Sequence, residues 1–225
     1  MRGRGSGIVG MAKAQSECGW ELERAAWAAG VQRVAGVDEV GRGPLFGPVV
    51  AAAVILPAVC AEDAATLRGL NDSKQLKESE RERLAEEIRL LALAWAVAEV
   101  DVATIDRVNI REATRLAMRQ ALAGVQADFA LVDGNCAVDV TGLDCGQRTV
   151  VKGDTRSVSI AAASVVAKVH RDALLRRMDA EFPGYGLARH KGYGTAEHLA
   201  ALRRLGATRE HRRSFQPVRA VLRED

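Results

Sequence analysis

The sequence predicts an α/β layered domain built on a mixed sheet, and three observations carry that prediction. Short apolar runs at 34–38, 48–56, 92–100, 128–132 and 148–152 have strand length, and the longer ones are rich in Val, Ala and Ile. Charged segments at 78–91 and 109–124 repeat apolar residues every three to four positions, the period of an amphipathic helix. The order is three strands with a helix among them, then single strands separated by a helix or an irregular connection, then trailing helices. That order fits a layered sheet with parallel and antiparallel pairs.

Residues 1–32 read as an extension apart from the core. Segment 1–10 is Gly/Arg-rich and is expected to be mobile, and Met11 offers an alternative start. Trp20, Leu22, Ala26 and Trp27 fall at helical spacing within 18–29, which predicts a short packed helix. The core, 33–225, opens with strand 34–38, which ends on Asp38 and Glu39. A turn rich in Gly and Pro leads to strand 48–56. A polar loop, 69–77, precedes the helix 78–91, whose Leu84, Ile88 and Leu91 share a face. The third strand, 92–100, alternates around Trp95 and Val97. Helix 109–124 carries Ile110, Leu116, Met118 and Leu122 and closes at Gly124. Strand 128–132 stops at Asp133, irregular chain spans 134–147, and strand 148–152 ends near Asp154. A long Ala-rich helix, 157–181, bears Lys168, Arg171, Arg176 and Arg177; a last clear helix is 195–205.

Composition narrows the class. With 225 residues and 48% hydrophobic content, the chain supports one full domain. Its 27% charged content is that of an ordinary globular protein. A net charge of +3 is compatible with a polyanionic partner without demanding one. The longest apolar run, 48–59, falls short of the ~20 residues of a membrane-spanning helix, and the N-terminus lacks a leucine-rich secretory core. Cys18, Cys60, Cys136 and Cys145 form no C-x-x-C pair, so free thiols of a cytoplasmic protein are expected.

Asp38, Glu39, Asp133 and Asp154 stand at predicted strand ends, where open α/β sheets gather ligand and catalytic groups. Carboxylates that converge without basic partners repel one another, and a divalent cation relieves them. An oxygen-only set favours Mg²⁺ or Mn²⁺ over Zn²⁺. Taken singly, each acid has a structural alternative: helix capping for Asp154, which precedes a helix, and a turn role for Asp133 before Gly134-Asn135. The adjacent pair Asp38-Glu39 resists that explanation, because successive strand residues point to opposite faces. Next to it, Gly41-Arg42-Gly43-Pro44 is either a plain hairpin turn or a backbone approach to phosphate.

The run Val34-Ala35-Gly36-Val37-Asp38-Glu39-Val40-Gly41-Arg42-Gly43-Pro44 resembles the signature of ribonuclease HII. Asn71-Asp72-Ser73-Lys74, Leu131-Val132-Asp133-Gly134-Asn135, Val151-Lys152-Gly153-Asp154 and the 161–172 helix segment resemble its later motifs. His190-Lys191-Gly192-Tyr193-Gly194-Thr195 and His211-Arg212-Arg213-Ser214-Phe215 complete the series, in family order from Val34 to Val218. The 136–148 segment matches no motif. The resemblance implies a ribonuclease H-like fold with a five-stranded mixed sheet flanked by helices and a C-terminal helical portion. It implies that Asp38, Glu39, Asp133 and Asp154 are catalytic and hold Mn²⁺ or Mg²⁺. It implies that Gly41, Arg42 and Gly43 contact the ribonucleotide and its 2′-OH, that Tyr193 packs on the neighbouring sugar, and that Lys74, Ser164 and Lys168 serve phosphate contacts. Without the family, Lys74, Ser164, Lys168 and Tyr193 each have a structural reading, such as a polar helix stripe or a core-edge plug.

The implied activity is hydrolysis of the RNA strand of RNA–DNA hybrids and cutting 5′ of single ribonucleotides in duplex DNA. The expected enzyme is a monomer in ribonucleotide removal, replication and repair. Residues 1–32 are shorter than the extra N-terminal domain typical of the sister ribonucleases HIII, which favours HII. Two other classes compete: a related nuclease of the same superfamily, such as a junction resolvase or HIII, and a nucleic-acid-binding protein whose acids are caps.

Overall fold

The computed structural model describes residues 18–222 apart from Ala64 and Asp72. The expectations for 1–10 and Met11, and the aspartate of the Asn71-Asp72-Ser73-Lys74 motif, lie outside the described residues. The chain forms α1 (Glu21–Ala28), β1 (Val34–Val40), β2 (Val49–Ile55), α2 (Glu78–Leu91), β3 (Ala94–Val100), α3 (Val102–Val108) and α4 (Ile110–Ala123). Then follow β4 (Phe129–Asp133), β5 (Gly146–Val150), α5 (Val158–Glu181), α6 (Leu187–His190), α7 (Ala196–Leu205) and α8 (Gln216–Val221). The five strands lie in the order β3-β2-β1-β4-β5. β1 runs antiparallel to β2, and β2 to β3, while β1 is parallel to β4 and β4 to β5. The expected mixed sheet is therefore present.

Every residue of β2 is buried, because helices cover both faces of the sheet. On one face Ala35, Val37, Ala51, Ala53 and Ile55 pack with Ala113, Ala117, Met118, Ala121 and Leu122 of α4. On the other, Val50, Ala52 and Val54 pack with Leu84, Ala85 and Ile88 of α2 and with Ala161, Ala162, Val165 and Val166 of α5. The small residues of α5 let it lie close on β1. At Gly36 the approach is closest: a Cβ there would overlap the backbone carbonyl carbon and oxygen of Ser159. Glycine is thus required by space, not by φ.

The N-terminal helix joins this core. Glu23 of α1 is fully buried, receives the Ser157 hydroxyl at 2.5 Å and the Ser159 N–H at 2.9 Å, and so sits on the first turn of α5. At the far end, Phe46 packs with Leu175, Tyr185 and Leu187, and Leu45 with Leu202 and Val218. The link between β1 and β2 is therefore anchored under the C-terminal helices.

Several boundaries differ from the sequence expectation. β1 continues through the two acids to Val40, paired with β2 as far as Val40↔Val50, so pairing carries the strand past residues of poor β propensity. α3, α6 and α8 are too short for a helical period to show in sequence. α3 is started by Asp101, whose side chain accepts the Thr104 N–H at 2.8 Å. The four cysteines are free. Among the described residues no helix is long and apolar enough to cross a membrane.

Candidate metal and nucleic-acid site

Sheet register brings the acids together. β1 and β4 are parallel neighbours paired up to Val37↔Val132, so the next residues, Asp38 and Asp133, emerge side by side. Glu39 follows on β1. One carboxylate oxygen from each of Asp38, Glu39 and Asp133 lies within 4.8 Å of the others. Asp38 is 5% exposed, and Glu39 and Asp133 are half-buried.

Electrostatics make this cluster strained when no counter-charge is present. Burial raises the Asp38 carboxyl well above its ordinary value, and the charges of Glu39 and Asp133 push it further. Hydrogen bonds from the Ser164 side chain and the Glu39 N–H, the latter at 2.7 Å to Oδ1, act against that rise. Burial also raises Glu39, opposed by Arg42, whose Nη1 lies 3.2 Å from Glu39 Oε1. No His or Cys belongs to the group. Hard oxygen donors, one deeply buried and all sharing charge, fit a divalent cation of the Mg²⁺ or Mn²⁺ kind.

Asp154 is placed differently. It lies on a single 3-10 turn, Gly153–Thr155, beyond β5 and half-buried, and it is not one of the three acids whose oxygens converge. Its turn is nonetheless tied to the cluster, because the Gly153 N–H donates to Asp133 Oδ1 at 2.6 Å. The competing role of cap for α5 is filled by Ser157, whose side chain accepts the Ile160 N–H at 3.2 Å. For Asp133 the local-turn alternative also weakens, since its Oδ1 bonds across to the 153–155 turn.

A groove of about 500 Å³ runs from Glu39 past the Gly41-Arg42-Gly43 turn, and Lys74, Ser164, Lys168 and Tyr193 line it as well. Seven residues that the resemblance assigned to substrate thus come from four separate segments to one surface. Gly41 has φ +90°, a left-handed backbone that favours glycine, and a Cβ there would strike the Arg171 side chain. Gly43 faces the ring of Tyr193, which is 43% exposed and so available to a ligand. Ser164 Oγ lies 3.0 Å from Ser73 Oγ, linking the groove floor to the loop before α2. Lys168 Nζ is held by Asp172 Oδ1 at 2.7 Å, and burial lowers its pKa. Arg42, which the resemblance assigned to the ribonucleotide, pairs in this structure with Glu39.

Sequence reasoning gave several residues here no specific role. Ser73 and Arg81 also line the groove; the Arg81 guanidinium donates to the Ser73 carbonyl at 3.1 Å. On α2 nothing distinguishes Arg81 from its solvated neighbours in sequence. His198 and His211, both fully buried, form a chain whose tautomers are fixed by its ends. The Tyr193 carbonyl can only accept, so His198 Nδ1 donates to it at 2.9 Å; the Thr208 N–H donates to His211 Nδ1 at 3.0 Å. His211 Nε2 therefore donates to His198 Nε2 at 3.2 Å, and the neutral pair holds the Tyr193 loop. Burial lowers both imidazoles, His211 to about 3.

Comparison with known proteins gives a consistent picture. The family model described as Ribonuclease HII matches residues 35–218. Ribonuclease HII of Synechococcus sp. (strain JA-3-3Ab) is 50% identical over 217 residues, covering 96% of this chain and 95% of that protein. The crystal structure of ribonuclease H2 from Pyrococcus horikoshii OT3 superposes with TM-score 0.71 at 24% identity, covering 85% of this chain and 98% of that one. That of Bst-RNase HIII in complex with Mn²⁺ gives TM-score 0.66 at 22% identity, over 85% of this chain and 70% of that one. Both share the ribonuclease H-like fold described above.

Proposed function

The chain belongs to the ribonuclease HII family and is a ribonuclease H-type endonuclease, and on that premise we propose that it cuts duplex DNA on the 5′ side of single embedded ribonucleotides as well as the RNA strand of RNA–DNA hybrids. The observation that carries this reading is one of placement. Asp38, Glu39 and Asp133 converge, and Glu39 of that cluster lines the groove that the Gly41–Gly43 turn and Tyr193 also line.

Asp38, Glu39 and Asp133 would hold the divalent cation, and Asp154 lies on the turn that is bonded to Asp133. The solved relative named for its Mn²⁺ complex supports Mn²⁺, with Mg²⁺ as the other candidate. When bound, the cation supplies Lewis acidity that makes water a competent nucleophile and offsets charge on the leaving oxygen. The residues of the chain do the rest. Lys168 and Lys74 offer positive charge to phosphates along the groove, and Ser164 holds Asp38 through its hydroxyl. The backbone of the Gly41–Gly43 turn meets the sugar edge, where the 2′-OH distinguishes RNA from DNA. The exposed ring of Tyr193 lines the same groove and favours, beside the ribonucleotide, a deoxyribose that carries no 2′-OH. Because this recognition reads phosphate and sugar, base sequence has little influence. Since the 2′-OH serves recognition and water attacks, the ends are 3′-hydroxyl and 5′-phosphate. Removal of ribonucleotides during DNA replication and repair is the cellular role this activity serves.

The test is end-mapping on a duplex with one ribonucleotide. A cut at the phosphate 5′ of that residue, giving the stated ends, is expected. Cleavage of continuous hybrids alone, or a cyclic phosphate product, contradicts the reading.

A further inference from the structure

The turn that faces the groove is held from behind by a buried arginine of the C-terminal segment. Arg212 is fully buried, and its guanidinium makes three hydrogen bonds, all to carbonyls of one stretch of chain: Nη2 to Gly41 at 2.6 Å, Nη1 to Arg42 at 3.0 Å and Nε to Gly47 at 2.9 Å. It forms no ion pair among the described residues. Its backbone is stitched to the same stretch, donating to the Leu45 carbonyl at 2.8 Å, while the Gly47 N–H donates to the Glu210 carbonyl at 2.9 Å. A second buried arginine, Arg171, holds the Phe46, Pro48 and Lys191 carbonyls, so the two divide the link between β1 and β2.

Peptide geometry turns this clamp into a statement about the groove. The peptide bonds here are trans, so the C=O and N–H of one unit point in opposite directions. With the Gly41 carbonyl turned inward to Arg212, the Arg42 N–H faces away from it. With the Arg42 carbonyl turned inward, so does the Gly43 N–H. Neither N–H meets a protein acceptor among the described residues, and both residues line the groove. Two adjacent backbone donors without partners, aimed at a ligand surface, suit a sugar hydroxyl oxygen or another electron-rich oxygen.

We infer that Arg212 is a positioning residue that fixes these two N–H donors and thereby sets the preference for ribose over deoxyribose. The chemistry of the fork is specific. A planar guanidinium holds three carbonyls in one plane, whereas an ammonium at the end of a flexible stem does not. The cation is kept here at a cost, since burial and the neighbouring Arg171 lower its pKa to about 9. The inference rests on the ribonuclease reading above and adds the residue that enforces its specificity.

The test compares the KM for a duplex carrying one ribonucleotide with the Ki of the same all-DNA duplex as competitor. The ratio Ki/KM isolates what one 2′-OH contributes, and it does not depend on the fraction of protein folded. Wild type is expected to give a ratio well above one, and Arg212→Lys a ratio at least fivefold lower. Arg212→Gln, neutral and with two N–H donors, is the second variant should the buried ammonium prevent folding, and the same fall is expected. An unchanged ratio in a folded variant overturns the inference, as does a wild-type ratio near one. Loss of fold in both variants, read by circular dichroism, makes Arg212 a core residue and overturns it too. Failure of the wild type to cut the ribo-substituted duplex at all strikes instead at the functional reading.

Discussion

Replacing Asp38 with asparagine should abolish cleavage and yet stabilise the protein when no divalent cation is present. Asp38 is 5% exposed and has two acidic neighbours with oxygens within 4.8 Å. At that separation and an effective dielectric of ~20, each fully charged pair costs about 3 kcal/mol. Asp38 escapes part of this by holding its proton, which is why its pKa is raised. The net relief on removing the charge is therefore smaller, about 1–2 kcal/mol, or about 2–8 °C in Tm for a chain of this size. Asparagine can still accept from Ser164 and from the Glu39 N–H, so the packing survives. The pH dependence has a fixed sign. A carboxyl whose folded pKa is raised contributes stability below its unfolded pKa and loses it as pH rises through the folded value. The advantage of Asp38→Asn in chelator should accordingly grow with pH. Added Mn²⁺ should reverse the order, because a cation bound only by the folded protein stabilises it by mass action. Thermal melts at pH 6 and pH 8, with chelator and with Mn²⁺, check all of this. A variant less stable than wild type in chelator at pH 8, or an equal gain from Mn²⁺ in both proteins, refutes the reasoning.

The remaining predictions concern the support of the site. His211 is buried neutral with a pKa of about 3, so its contribution is present above the unfolded value of 6.5 and is lost as pH falls. Urea unfolding between pH 7 and 4 should show a slope of up to about 1.4 kcal/mol per pH unit from this group, which His211→Asn removes. Gly36→Ala drives a methyl into the backbone of Ser159 and should cost about 3 kcal/mol or more, read as a lower urea midpoint at unchanged slope. Asp154→Asn should lower kcat by about 10–100-fold at unchanged KM, less than loss of Asp38 or Asp133, because its turn supports the cluster from outside the three converging acids.

The two halves of the site were legible in sequence to different degrees. Asp38 and Asp133 could be found from the residues alone, since an acid that closes an apolar strand emerges at one sheet edge. Their meeting follows from parallel pairing of β1 with β4, which the strand order made accessible. The groove was not legible that way. Lys74, Ser164, Lys168 and Tyr193 come from a loop, one helix face and a distant turn, and only the resemblance named them together. Asp154 shows the limit of local reasoning: a residue between a strand and a helix reads as a cap, and only the fold reveals that Ser157 fills that role. Arg171 and Arg212 fall within motif segments of the resemblance, but nothing in sequence marked them as buried, because each stands in a basic stretch that reads as a solvated face. Their burial comes from carbonyls of the β1–β2 link, brought to them by tertiary packing. The same holds for β1, which pairing with β2 extends beyond the expected end at Asp38 to Val40.

The most direct test of the central claim is cleavage of a duplex containing one ribonucleotide, run in parallel with Mg²⁺, with Mn²⁺ and with excess chelator. Cleavage with at least one of the ions, none in chelator, and none by Asp38→Asn under any of the three conditions are the predicted results. Robust cleavage in chelator, or by Asp38→Asn, would contradict the account.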